Sequence, residues 1–280
     1  MPELPEVETI VRGLERRIAG DVIESVWIGS RPQPLKSPAE VIVKTLEGKR
    51  IAQVHRAGKH IVVDLEPPAP TKGKRTPSTA NDRAQWVVHL GMTGRMVISE
   101  PSDEIPKHTH LIAKLASGRE LRFIDPRMFG KLSVHSAGFD PGGVEPLEVS
   151  EERFISLFRG RKTPIKSALL NQKLVRGVGN IYADESLFRA GIRPRRRAAA
   201  VTRQQLAELY RSVREVLREA IALGGSSVSD YVDADGEEGF FQLEHRVYGR
   251  EGEPCLVCRT PVRRVVLAGR GSHYCPKCQR

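Results

Sequence analysis

The four cysteines of this chain fall in its last stretch as two pairs, Cys255-x2-Cys258 and Cys275-x2-Cys278, with residues 259–274 between them. Four thiolates presented on two tight turns can close a tetrahedral zinc site, with the intervening residues folded as a β-hairpin. The competing reading is two disulfides, which suits an oxidising compartment. The chain opens on acidic residues and lacks the basic stretch and apolar run of a secretory leader, so an intracellular, cytoplasmic protein holding one structural Zn2+ is expected. At the other end, removal of Met1 before the small Pro2 would expose a secondary amine. An α-amino group titrates at about 8, so a useful fraction is unprotonated at neutral pH and available as a Schiff-base type of nucleophile. Glu3 stands beside it and is suited to proton transfer. The structural alternative is that Pro2, Glu3 and Pro5 simply start a helix and complement its dipole.

The elements that must carry these groups change character along the chain. Val7, Ile10, Val11, Leu14 and Ile18 recur at helical spacing, with Pro5 at the first turn and Gly20 past the end, which predicts one amphipathic N-terminal helix. From Val22 to Val134 the pattern becomes short β-branched runs broken by Gly and Pro: 22–28, 50–56, 60–65, 86–90, 95–98, 111–115, 120–124 and 131–134. That spacing predicts an antiparallel β-sandwich or barrel, and we take the sandwich. Residues 66–83, with Pro67, Pro68, Pro70, Pro77 and several cations, read as a solvated loop. A turn-rich linker at 138–146 leads into helical periodicity at 150–159, 164–170, 181–190 and 202–223, the last with an apolar stripe from Leu206 to Ile221. The expected class is α+β and multidomain, with residues 1–137 as the sandwich, 147–247 as a helical domain and 248–280 as the cysteine-bearing finger.

A formal net charge of +11 makes a polyanion the natural partner, because each Lys or Arg on a phosphate releases condensed counterions. With 5% aromatic residues, repeated stacking on single-stranded bases is disfavoured and a duplex is the better expectation. No run approaches the roughly 18 apolar residues that would span a bilayer, so no membrane partner is expected.

The motifs MPELPEVE at the start, HLGMTG at 89–94, DPRMFGK at 125–131, GVGNIYADESLF at 177–188, VYGREGEPC at 247–255 and the terminal four-cysteine finger occur in one order. Together they resemble the formamidopyrimidine-DNA glycosylase family, bacterial enzymes that excise oxidised purines such as 8-oxoguanine. The resemblance covers essentially the whole chain apart from the Pro-rich insertion. It implies a monomeric bifunctional glycosylase and lyase acting on double-stranded DNA, associated with the nucleoid. Pro2 would attack the sugar C1′ and form an iminium ion, which acidifies C2′ and permits β,δ-elimination. Glu3 would transfer a proton to the opening sugar ring, with Glu6 a further acid nearby. Lys59, in RAGKHI, matches a lysine near the lesion sugar and phosphate, and Arg270 matches an arginine that reaches the neighbouring phosphate.

Flipping a base out leaves a hole in the stack. Met92, Arg127 and Phe129 match the family's intercalating set: an apolar plug, an arginine directed at the orphaned base and an aromatic wedge. Met128 departs from the pattern, standing where the family commonly has a second arginine. His108, Lys162, Lys166, Asn180 and Tyr248 would face phosphate, Asn180 from the turn of a helix-two-turn-helix motif. The loop at 226–242 corresponds to the family's lesion-reading loop. Two rivals stand beside this reading: the endonuclease VIII type, which prefers oxidised pyrimidines, and a catalytically silent DNA-binding protein. Leu4 with Met92, Arg127 and Phe129 favours the purine type over the first, and intact Pro2, Glu3, Lys59 and Arg270 speak against the second.

Overall fold

A computed structural model describes residues 1–68, 82–227, 234 and 237–280. Most of the Pro-rich insertion, and residues 228–233, 235 and 236 of the loop at 226–242, lie outside the described residues. The chain divides into two compact units, one comprising residues 1–2, 6–140 and 226–239 and the other residues 3–5, 141–225 and 240–280.

The first unit holds most of helix α1 (Leu4–Ile18), then β1 (Ile23–Ile28), α2 (Ala39–Leu46), β2 (Arg50–Ala57), β3 (His60–Glu66), β4 (Ala84–His89), β5 (Arg95–Ser99), β6 (Thr109–Leu115), β7 (Glu120–Ile124) and β8 (Lys131–Ser136). Two four-stranded sheets form, ordered β1-β6-β7-β5 and β2-β3-β4-β8, with every described pairing antiparallel. Val7, Ile10, Val11, Leu14 and Ile18 of α1 enter the same core as Ile61, Val63, Trp86, Val88 and Phe123 of the strands. Burying each such side chain contributes about 1.5–3 kcal/mol. Helix α2 was not anticipated. It is short and rich in β-branched residues, and only Ile42 and Leu46, one turn apart, are buried, too brief a stripe to read as a helix.

In the second unit α3 (Glu151–Ser156), α4 (Ile165–Leu169), α5 (Asn180–Arg189) and α6 (Arg203–Ala222) each sit within the segments the periodicity marks or a residue or two from them. Ser150 caps α3 through its hydroxyl, and Thr202 with Gln205 forms a capping box on α6. Leu4 joins the core made by Phe154, Leu169, Tyr182, Leu187, Leu209 and Val213. A hairpin of β9 (Arg263–Leu267) and β10 (Arg270–Tyr274) closes the chain. Its two-residue turn has Ala268 at φ 47° and Gly269 at φ 75°, the positive-φ pair that a tight β-hairpin turn uses.

Candidate active site

In the first unit, Pro2 is buried and Met1 ahead of it is 42% exposed. Lys59 occupies, with Gly58 at φ 61°, the two-residue turn that joins β2 to β3, and is buried. Its charge is felt by His89, whose imidazole is pushed down to about 4, first by burial and then by His60, Lys131 and Lys59. His89 Nδ1 accepts the Gly91 N–H at 3.1 Å, so the ring also shapes the turn carrying Met92. Only its place in HLGMTG pointed to this histidine.

Met92, Arg127 and Phe129, the residues expected to intercalate, come together on two loops. Asp125, fully buried, accepts from Thr93 Oγ1 at 2.6 Å and from Gly130 N at 2.7 Å, fixing the turn from which Arg127 and Phe129 project. The Arg127 guanidinium lies 5.0 Å from the centre of the Phe129 ring. A Cβ on Gly91 would run into the backbone of Phe129 and Gly130, so glycine lets the Met92 turn press against this loop. Met92 and Phe129 are 41% and 53% exposed and so are not core residues. Met128 takes a left-handed φ of 55°. Asp125 stood in a quoted motif, yet only the structure shows that it organises the loop. His108 borders a cavity of this unit, and its carbonyl accepts the Asp125 N–H at 3.0 Å.

In the second unit the Glu3 carboxylate, 4% exposed, accepts the Ile181 N–H at 3.2 Å in the first turn of α5, where oriented amides favour an anion. Leu4 N donates to Gly177 O at 3.0 Å. Gln172 staples the same turn, accepting from Gly177 N and donating to Val178 O. A Cβ on Gly179 would fall on the Glu3 carboxyl group. Gly179 thus makes room for the Glu3 carboxyl group, and Gly177 for the Leu4 side chain.

Asn180 opens α5, with its side chain near the Tyr248 phenol. Burial pushes that phenol above its usual value, the Asn180 amide opposes this, and the Glu3 and Asp184 charges add to it, so Tyr248 keeps its proton as a donor. The backbone N–H groups of Arg246, Val247 and Tyr248 all donate to the buried Glu185 carboxylate at 2.8–3.0 Å. Lys162 and Arg270 are exposed. Lys166 departs from expectation. It is 1% exposed, and its ammonium meets Asp184 at 2.7 Å while donating to Gly271 O and Ser272 Oγ, both at 2.8 Å. Its three donors are taken up by Asp184, Gly271 and Ser272, because the side chain is enclosed by protein. Asp184 also accepts from His273 N at 2.9 Å. The buried pair thus grips the three residues that follow Arg270.

Lys166→Met leaves Asp184 as a buried, uncompensated charge and is expected to cost about 3–5 kcal/mol, read by denaturant unfolding of the zinc-loaded protein. Pairing it with Asp184→Leu should recover much of that loss. A pH effect arises from His89 and from His245, which burial first, with the His273 charge, also pushes down to about 4. Both rings bind fewer protons folded than unfolded between pH 6.5 and about 4, so stability should fall as pH drops through that window. Thermal unfolding against pH checks the direction.

The four cysteine sulfurs all lie within 4.8 Å of one another, with Cys255 to Cys278 at 3.9 Å and Cys258 to Cys275 at 3.4 Å. Disulfide bonds need about 2.05 Å, whereas sulfurs about 2.3 Å from a shared ion stand close to the spacings seen. The set therefore fits a metal and not two disulfides.

Residues 1–132 match the formamidopyrimidine-DNA glycosylase N-terminal domain, 143–232 its H2TH domain, and 252–280 the zinc finger found in FPG and IleRS. The formamidopyrimidine-DNA glycosylase of Solibacter usitatus is 44% identical over 288 residues, covering all of both chains. The chain belongs to the formamidopyrimidine-DNA glycosylase family. Among solved structures, the MutM (Fpg) protein of Thermus thermophilus superposes with a TM-score of 0.83 at 40% identity, covering 99% of this chain and 98% of that one. The Lactococcus lactis FPG bound to Fapy-dG DNA gives 0.85 at 34% identity, covering 99% and 100%. The α+β class, the N-terminal sandwich and the finger agree with this family, and the four cysteines hold one structural zinc ion. No described helix is long and apolar enough to cross a membrane.

Proposed function

We propose that this chain is a bifunctional DNA glycosylase and AP lyase of base excision repair, working on oxidised purines in duplex DNA through its N-terminal proline. The observation that carries the reading is Glu3, a buried carboxylate held against the first turn of α5 by the Ile181 N–H and covalently next to Pro2. Solved relatives from Lactococcus lactis bind DNA containing Fapy-dG, an abasic site and an oxidised pyrimidine.

Once Met1 is gone, the Pro2 nitrogen lone pair attacks C1′ as the damaged base departs, while Glu3 passes a proton to the opening ring oxygen. Loss of the ring C1′–O bond leaves an iminium between Pro2 and C1′. Withdrawal of a C2′ proton then expels the 3′ phosphate, and a second elimination expels the 5′ phosphate. Lys59 supports the sugar and phosphate side of these steps, and Arg270 grips the adjoining phosphate with its planar fork. Met92, Arg127 and Phe129 fill the stack that the lesion leaves. His108, Lys162, Asn180 and Tyr248 line the backbone, with Lys166 acting from behind the Arg270 hairpin. Residues 1–137 supply the nucleophile and 147–247 with 248–280 supply most of the grip on DNA, in a cytoplasmic, nucleoid-associated monomer.

Competing 8-oxoguanine opposite cytosine against thymine glycol in one reaction tests the substrate class. Faster release of 8-oxoguanine supports it, and preference for thymine glycol moves the chain to the pyrimidine type.

A further inference from the structure

Strand β8 is an edge of its sheet, which is ordered β2-β3-β4-β8. Residues 34–37 run along its outer side and take up its first backbone groups. Leu132 N donates to Pro34 O at 2.8 Å, Lys36 N to Leu132 O at 2.7 Å, and Val134 N to Ser37 Oγ at 3.1 Å. That cover ends at Pro38, where the chain turns into α2. In an antiparallel ladder every second residue points both backbone groups away from the paired strand. Leu132 does so, and Val134 and Ser136 follow it, so Val134 O and Ser136 N face outward, where the described residues supply no partner. Beside them lies a cavity of about 410 Å³, walled by Val41 and Lys44 of α2 and by Lys49, Arg83 and Val134. Val41 is 46% exposed, Lys44 and Arg83 are exposed, and Lys49 donates to the Asp82 carbonyl at 2.9 Å. Among the described residues Asp82 is the one carboxylate in the lining. The cavity is at the end of the sheet remote from the lesion-side loops. Ser136 pairs with Ala84 there, whereas Lys131 pairs with His89 at the other end, beside the turn that holds Lys59. At roughly 3.4 Å per residue the two ends of β8 are about 17 Å apart.

We propose that this open edge receives an extended, acidic peptide segment of a partner protein, added as a short further strand beside residues 134–136. The peptide backbone pairs with Val134 O and Ser136 N, and its side chains alternate between the apolar surface of Val41 and Val134 and the ammonium and guanidinium groups of Lys44, Lys49 and Arg83. An unpaired strand edge selects a peptide backbone, and three cations with one carboxylate among them select an acidic one. The proposal goes beyond the glycosylase reading and does not depend on it.

The full-length, zinc-loaded protein is titrated with a fluorescein-labelled Asp-Val-Glu-Val-Asp-Val peptide and followed by anisotropy. Two controls run beside it, one with every acid replaced by lysine and one with the second valine replaced by proline. The acidic peptide should bind saturably, and the lysine peptide at least about 10-fold more weakly. The proline peptide should lose about 2- to 10-fold, the worth of one backbone hydrogen bond. Amide exchange at Ser136 should slow on binding. Lys44→Glu with Arg83→Glu should abolish the preference for acid and leave base release from lesion DNA unchanged. Cations that only guard a strand edge against aggregation predict no such preference. Equal binding of the acidic and lysine peptides, acidic binding untouched by the double variant, or unchanged exchange at Ser136 overturns the proposal. Displacement of the peptide by duplex DNA also overturns it, by making this face part of the DNA surface. So does self-association of the protein that the double variant abolishes, seen by sedimentation, which makes the occupant a second copy. A protein that binds the peptide and releases no damaged base refutes the glycosylase reading and leaves this proposal standing.

Discussion

Glu3→Gln should lower single-turnover base release by about 10²- to 10⁴-fold, the range over which a positioned proton donor acts. The substitution keeps the shape and the acceptor for Ile181 N–H but removes the acid. Gly179→Ala should approach the same loss with the carboxyl group chemically unchanged, because the new Cβ falls on Glu3 and must displace it. A purely structural role for Glu3 predicts a different result: the two variants would lose stability in step with activity. Unfolding midpoints measured beside the rates separate the cases. Near-normal midpoints with large rate losses support proton transfer, and midpoints that fall with the rates contradict it.

Stripping zinc should have the second large effect. A structural zinc contributes about 10–16 kcal/mol in finger peptides near pH 7, and here the clustered ligands flank in sequence the hairpin bearing Arg270, two before β9 and two after β10. Without the ion the cluster of Val247, Val262 and the cysteines loses its centre. Tight binding of lesion DNA should vanish on chelation and return with stoichiometric zinc, as read by anisotropy and metal analysis. Retained affinity in a demonstrably metal-free protein would refute the structural role.

Much of this was legible in the sequence for definite reasons. The cysteine spacing is set by coordination geometry, and the α6 stripe from Leu206 to Ile221 is long enough for a 3.6-residue period to show. Strands of β-branched residues between glycines marked the sandwich, whereas α2 offered only one turn of buried positions. The same limit applies to polar groups whose partners are distant in the chain. Lys166 looked like a surface cation because nothing local reveals that Asp184 and the backbone of Gly271 close around it. Asp125 and Gln172 do their work by holding loops, through bonds to Thr93, Gly130, Gly177 and Val178 that no periodicity encodes. Burial at Glu3 was equally hidden, since an acidic residue beside a chain terminus ordinarily reads as solvated.

The Pro2 nitrogen is expected to form a covalent bond to the lesion sugar. Its most direct test is borohydride trapping on a duplex carrying 8-oxoguanine opposite cytosine, with the N-terminus of the protein first read by mass spectrometry and the trapped peptide then sequenced. A reduced adduct is expected on Pro2 in protein lacking Met1, and none in protein that retains it. Strand cleavage with the adduct on Lys59, or with no adduct at all, would contradict it.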